Sequence, residues 1–325
     1  MNNFKKIGMT ALAASLVSTS VFAGELTAAG SASVTMEGWS GSTTNTSRAL
    51  SMADSVILSG STELDNGLTV TMAFELDGDA EATSSTSAYD DNSLTISSDS
   101  MGTLKFSAHG GSSASSAMDG TAAGDMYDNF DTGLTSLGAA TKAAGAGENS
   151  FFYTTPSLME GLVGTASLNT AGASGNNAMG IGITYTGVEG LSLSYGTADI
   201  NAGASTNSGD QTVMKASYAV GSVTLAYTNS EYKVGTALTQ ATGQEVVSYA
   251  VSYTVSDALS VTYGIETIES GLANSADAAY EGLSVAYTAG GMTLTAKRQE
   301  ADGILHTSAA DQDYDYWSLG LSFAF

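Results

Sequence analysis

The chain has no cysteine among its 325 residues, which removes disulfide scaffolds, zinc knuckles and thiol catalysis at once. It has one proline, Pro156, where ordinary usage would put about 5%. Two histidines, His109 and His306, leave little material for acid/base or metal chemistry near neutral pH. Basic residues are scarce as well: nine Lys and Arg stand against 33 Asp and Glu, a formal net charge of -24. Such a chain cannot neutralise phosphates, so a nucleic-acid partner is excluded. Beyond the first segment no window of 18 apolar residues exists, so any membrane crossing must use something other than helices. What the chain does have is 38 Gly, 42% hydrophobic residues and only 13% charged ones. That is too apolar for a disordered acidic chain.

The first 23 residues form an export signal. Lys5 and Lys6 precede the apolar run from Ile7 to Leu16, and Val21-Phe22-Ala23 supplies the small residues read at cleavage, expected after Ala23. Polar interruptions at Ser15, Ser18, Thr19 and Ser20 end the run before the roughly 20 apolar residues that a bilayer requires. Residues 24–325 then make one domain outside the cytoplasm.

From Leu26 onward the hydrophobic pattern has period two. Leu26, Ala28, Gly30, Ala32, Val34 and Met36 fall on one face, with Thr27, Ala29, Ser31, Ser33, Thr35 and Glu37 on the other. The alternation recurs along the chain to Trp317, Leu319, Leu321, Phe323 and Phe325, and predicts strands with one apolar and one polar or tiny face. Seven short turns, among them Asp65-Asn66-Gly67 and Ala289-Gly290-Gly291, alternate with eight longer loops near 40–52, 78–90, 110–148, 171–178, 199–210, 230–244, 268–278 and 299–312. Fifteen connections imply sixteen antiparallel strands, with both termini on the short-turn side.

Sixteen strands closed into a ring leave a lumen too wide for side chains to fill. The polar face therefore lines water, the apolar face meets lipid, and the first strand must close on the last. The expectation is an all-β transmembrane antiparallel barrel with periplasmic turns and long outer loops. Tyr185, Tyr218, Tyr253 and Tyr287 have outward parity beside short turns, where an interfacial girdle belongs. Tyr195, Tyr227, Tyr249 and Tyr263 lie too low to form a second girdle.

This layout resembles the general, sixteen-stranded trimeric porins of Gram-negative bacteria over the whole mature chain. Three features sharpen the resemblance: the longest loop, 110–148, follows the fifth strand; Asn149 to Ser157 looks like the family's sixth strand and turn; and Phe325 is similar to its aromatic C-terminus. The resemblance implies a passive channel for small hydrophilic solutes in the outer membrane, a third loop folded into the lumen, a homotrimer, no enzymatic activity, and recognition of Phe325 by the barrel assembly machinery.

Within that frame, the loop's Asp119, Asp125, Asp128, Asp131 and Glu148, against Lys142, would project into the passage, concentrating cations and repelling anions. The alternative is a solvated surface loop. Lys105, Lys215 and Lys297 have lumen parity and would be the counterpart of the family's basic cluster, or three unrelated wall charges, with inward Glu63, Glu75 and Glu266 as counter-charges. The run from Asp125 to Asp131 could offer oxygens to calcium, although it lacks calcium-loop spacing. Ala28, Gly30, Ala32 and Gly60 make a small outward surface, read either as the trimer contact or as an aid to twist and closure.

These residues describe a cation-preferring diffusion channel with lipid, small solutes and cations as partners. Three rivals remain: a substrate-specific channel using inward Tyr280, Tyr314 and Tyr316, a Gly/Ser/Thr-rich adhesin, and a barrel enzyme built on His109 or His306.

Overall fold

The computed structural model describes residues 26–41, 48–77, 90–130, 149–170, 177–200, 209–234, 244–270, 276–304 and 314–325. The expected signal segment 1–23 lies outside them. Sixteen strands follow in order: β1 Leu26–Ser40, β2 Arg48–Glu63, β3 Thr69–Asp77, β4 Asn92–Ser98, β5 Gly102–His109, β6 Ser150–Thr154, β7 Leu162–Thr170 and β8 Asn177–Tyr185. The second half comprises β9 Leu191–Ile200, β10 Gly209–Val220, β11 Val223–Val234, β12 Gln244–Ser256, β13 Leu259–Ser270, β14 Ala278–Ala289, β15 Met292–Asp302 and β16 Tyr314–Ala324. A short 3-10 helix, Met126–Phe130, sits in the loop after β5.

Each strand pairs antiparallel with its sequence neighbours, and β1 pairs with β16, so the sheet is a closed barrel. Closure leaves no unpaired edge, which is the condition for crossing lipid with strands. All seven short turns and eight long loops fall where the sequence put them. Several strands run further toward the loops than expected: β2 begins at Arg48 and β11 continues to Val234.

The alternation sorts the faces as the parity predicts. On β8, Met179 and Ile181 are exposed outward while Ala178 and Gly180 are buried inward. On β10, Gln211 and Val213 are fully buried inward, whereas Met214 and Tyr218 face out. The girdle tyrosines share one height: Tyr185, Tyr218, Tyr253 and Tyr287 lie in register with Leu162, Leu191, Val223 and Leu259, each the first residue of a strand that follows a short turn. Phe323 continues the ring opposite Met292.

A candidate lumen constriction

The inner wall would be an open tube but for the segment 110–130, which leaves β5 and runs along the inside of β7 to β16 and on to β1. At its root Gly110 takes φ +63° beneath the Asp91 carboxylate, a place where a Cβ would collide. The Ala114 N–H then donates to Ser167 Oγ on β7 at 2.9 Å, and Ser115 Oγ to Gln211 Oε1 on β10 at 2.9 Å. Lys215 on β10 donates to the Gly120 carbonyl at 2.6 Å, and the Ala123 N–H to Ser248 Oγ on β12 at 2.9 Å. Further round, the Tyr127 N–H donates to Glu266 Oε1 on β13 at 3.3 Å, and Asn129 Nδ2 to Gln299 Oε1 on β15 at 2.9 Å. Trp39 on β1 closes the path, its indole donating to the Asn129 carbonyl at 2.7 Å. Loop polar groups that leave water are thereby paired one by one with the wall, as buried polar groups must be.

Shape matches these bonds. Inward positions on β8, β9, β13 and β14 are glycines where the segment lies flush. A Cβ on Gly182 would stand 2.6 Å from Met118 Cε, one on Gly264 2.6 Å from Ala123 Cβ, and one on Gly282 2.8 Å from Met126 Sδ. The far end is held by aromatics: Phe130 packs on Tyr280 and Tyr316 with ring centroids 5.7 and 6.1 Å apart, and Trp39 on Tyr316 at 5.4 Å. Phe130, Tyr280 and Tyr316 are all buried. The passage that remains runs between the seated segment and the inner face of β2 to β6.

The loop carboxylates have separate placements. Asp128 is exposed. Asp125, in the left-handed region at φ 51°, accepts the Thr121 N–H at 2.8 Å and gives its own N–H to Thr121 Oγ1 at 2.7 Å, so it builds the turn. Asp119 accepts from Gln211 Nε2 at 3.4 Å; burial holds its carboxyl above the ordinary aspartate value, opposed by that hydrogen bond and reinforced by Asp125. Burial, then Asp125 and Asp128, push the Tyr127 phenol upward. Asp131, Lys142 and Glu148 lie outside the described residues. No three carboxylates or imidazoles come together for a metal ion among the described residues, and Asp125 uses one carboxylate oxygen in its turn.

The three lysines are on the inward face but are not brought together. They stand on β5, β10 and β15, a third of the circumference apart. Lys215 lies under the seated segment, and Lys297 neighbours Gln299, one of its anchors. Lys105 alone belongs to the wall facing the segment and has no partner among the described residues. That wall also carries Glu63, Glu75 and, in register with inward Ser55, Asp77. The anchors Ser167, Gln211, Ser248 and Gln299 were missed from sequence, as was Glu266 as an anchor, although a Gln or Glu in mid-strand on the inward row was the available signal.

Of the small outward residues, Gly30 lies under the Phe325 ring, which gives its size a reason within the chain, while Gly60 faces open space. Ala28 and Ala32 flank Gly30 on the outward row of β1.

Comparison with known proteins follows the same lines. A family model described as Gram-negative porin matches residues 8–287. No curated protein sequence matches the chain. Among solved structures, an anion-selective porin from Comamonas acidovorans is 14% identical with a TM-score of 0.70, covering 93% of this chain and 99% of its own. The OmpF of Salmonella typhi, solved in complex with daunomycin, is 15% identical with a TM-score of 0.68, covering 93% and 98%. A mutant of the Rh. blastica porin is 16% identical with a TM-score of 0.65, covering 93% and 100%. At these identities the likeness is one of fold.

Proposed function

The chain belongs to the Gram-negative porin family, whose barrels are outer-membrane pores for passive diffusion, and on that premise we propose that this one favours cations and works as a homotrimer. The observation that carries the cation preference is the charge on the two sides of the passage. The seated segment presents the exposed Asp128, and the facing wall sets Glu63, Glu75 and Asp77 against Lys105. Carboxylates on both sides of a narrow aqueous path with low-dielectric walls raise the local cation concentration. The relative that is anion-selective by name shares only the fold, so the sign is set by this chain's own lining.

Diffusion needs no transition state. Solutes smaller than the gap between segment and wall cross down their gradient, and the lining weights the sign. A substrate-specific channel would offer aromatic faces to the solute, but Tyr280 and Tyr316 are buried against Phe130, and Tyr314 packs half-buried on the same cluster, so all three serve the seat of the loop. The exposure of Phe325 supports its recognition by the assembly machinery, and the apolar run behind Lys5 and Lys6 supports export of the chain by a signal segment.

Reconstitution into planar bilayers under a KCl gradient tests the reading. A reversal potential of cation sign and closures in groups of three are expected. An anion-signed potential overturns the selectivity, and solitary closures overturn the trimer.

A further inference from the structure

Outward charges on the described strands mostly stand beside a loop: Asp210, Lys233, Glu245, Glu269 and Asp302 each lie within one residue of a strand end. Asp54 does not. It is exposed on the outward row of β2, flanked by Met52 and Val56 with Leu50 and Leu58 beyond, and opposite Ala32 on β1. It has no hydrogen bond or ion pair among the described residues. Arg48, the first residue of β2, is six residues off, about 20 Å along the strand.

Register gives its height. The row through Asp54 passes Ala32 on β1 and Phe323 on β16 to Met292 on β15, beside the Gly290-Gly291 turn. The adjacent row, from Ala324 through Ser31 and Ser55, reaches Asp77 at the loop end of β3, so rows climb from β16 toward β3. At strand spacings of about 4.8 Å and a tilt of about 40°, each strand adds about 3 Å, which puts Asp54 about 9 Å above Met292 and inside an apolar band about 25 Å tall. Lipid cannot satisfy a carboxylate there, and an aspartate is too short to reach the interface.

An outward cation stands on the other side of the same seam. Arg298 on β15 is six residues beyond Met292, about 15 Å higher, so it lies within about 6 Å of the height of Asp54. Its bonds to Glu300 and Asp315, at 3.0 and 3.1 Å, both use Nη2, and among the described residues Nε and Nη1 are left for another acceptor. Within one barrel β2 and β15 are separated by β1 and β16, too far for the two groups to meet. In a head-to-tail contact each copy offers one flank of the seam to the opposite flank of the next, and the ring closes. The small side chains of Ala28 and Ala32 allow that approach.

We propose that Asp54 of one copy pairs with Arg298 of the next in a ring of copies closed around the β1–β16 seam. The pair rests on the trimeric pore reading above and names the contact that holds it. The test is electrophoresis of the unheated protein in SDS along a temperature series, with D54R, R298D, the neutral D54N and the combined D54R/R298D, alongside bilayer conductance. Each single reversal should lower the temperature at which the oligomer falls to monomers by several degrees, D54N less so, and the combined reversal should restore it. Retention of the compact, heat-modifiable monomer band shows that the barrel itself still folds. Unchanged oligomer temperatures in the single reversals, or a combined variant no better than the worse single, overturn the pair. A wild-type protein that runs only as a conducting monomer overturns pair and ring together, whereas absence of conductance overturns the pore reading beneath both.

Discussion

Asp119 and Asp128 lie nine residues apart on one loop and do different work, because one is packed against Gln211 and the other is exposed. Burial raises the Asp119 carboxyl, so its charged form opposes the seat of the loop. By linkage, its contribution to that seat is fully present at low pH and is lost as pH rises through its raised value. Acidification should therefore begin to neutralise Asp119 above the ordinary aspartate value near 3.9. Reversal potentials measured along a pH series should show the cation preference beginning to fall above that value, and Asp119→Asn should remove this early fall; a curve that Asp119→Asn leaves unchanged counts against this. At constant neutral pH, Lys105→Glu should raise the cation-to-anion permeability ratio and Asp128→Asn lower it. A unit charge about 8 Å from a permeating ion in water is worth about 0.5 kcal/mol, or about twofold. Parity made the lumen side of Lys105, Lys215 and Lys297 legible in the sequence. The partners were not legible, because parity says which face a side chain takes and nothing about what crosses the lumen to meet it.

At the scale of elements, the unusual glycine content finds one of its uses in the groove that receives the loop. A Cβ at Gly264 would press on Ala123 Cβ at 2.6 Å and its Cα at 3.0 Å, which only a shift of the loop backbone can relieve. At Gly182 the same atom meets Thr165 Oγ1 on the neighbouring strand at 2.5 Å and the flexible end of Met118 at 2.6 Å, so the close contacts fall on side chains and not on the loop backbone. Gly264→Val should thus push the loop toward the β2–β6 wall and lower the single-channel conductance, with Gly182→Ala having a much smaller effect and the barrel folded in both. Equal conductance in Gly264→Val and wild type would count against the groove. The strands themselves were readable because alternation is strict wherever lipid touches one face. Their loop-side ends were not: Glu231 and Lys233 on β11, or Glu300 and Asp302 on β15, are polar on the outward row too, so the two-residue period fades where the wall rises out of hydrocarbon. That is why β2 and β11 run further than the pattern suggested. The seat of the loop was opaque for another reason, since its anchors are scattered from β7 round to β1 and no local spacing links them.

The whole molecule depends on joining its first strand to its last, and the ladder of ten register pairs from Ser31–Ala324 to Ser40–Asp315 is completed at its lower end by two further residues. The Gly30 N–H donates to the Phe325 carbonyl at 2.8 Å, the Phe325 N–H returns to the Gly30 carbonyl at 2.9 Å, and the phenyl ring covers the glycine. An outward aromatic at the C-terminus and a glycine near the start of β1 were both visible in the sequence. That one lies on the other was not, because the register of β1 against β16 is a property of the closed ring. Removing Phe325 leaves both Gly30 backbone groups without partners at the lipid face, where each unmade bond costs several kcal/mol. Phe325→Ala keeps the two backbone bonds and loses only the ring. The two changes separate closure from recognition. Refolding into lipid vesicles, followed by the heat-modifiable band, should be strongly impaired by deletion of Phe325 and only slightly by Phe325→Ala. In cells, where the assembly machinery is proposed to read the terminal aromatic, both variants should accumulate poorly in the outer membrane. If Phe325→Ala inserts normally in cells, the ring is a cover for Gly30 alone; if deletion of Phe325 refolds as well as wild type, the seam does not need its last residue.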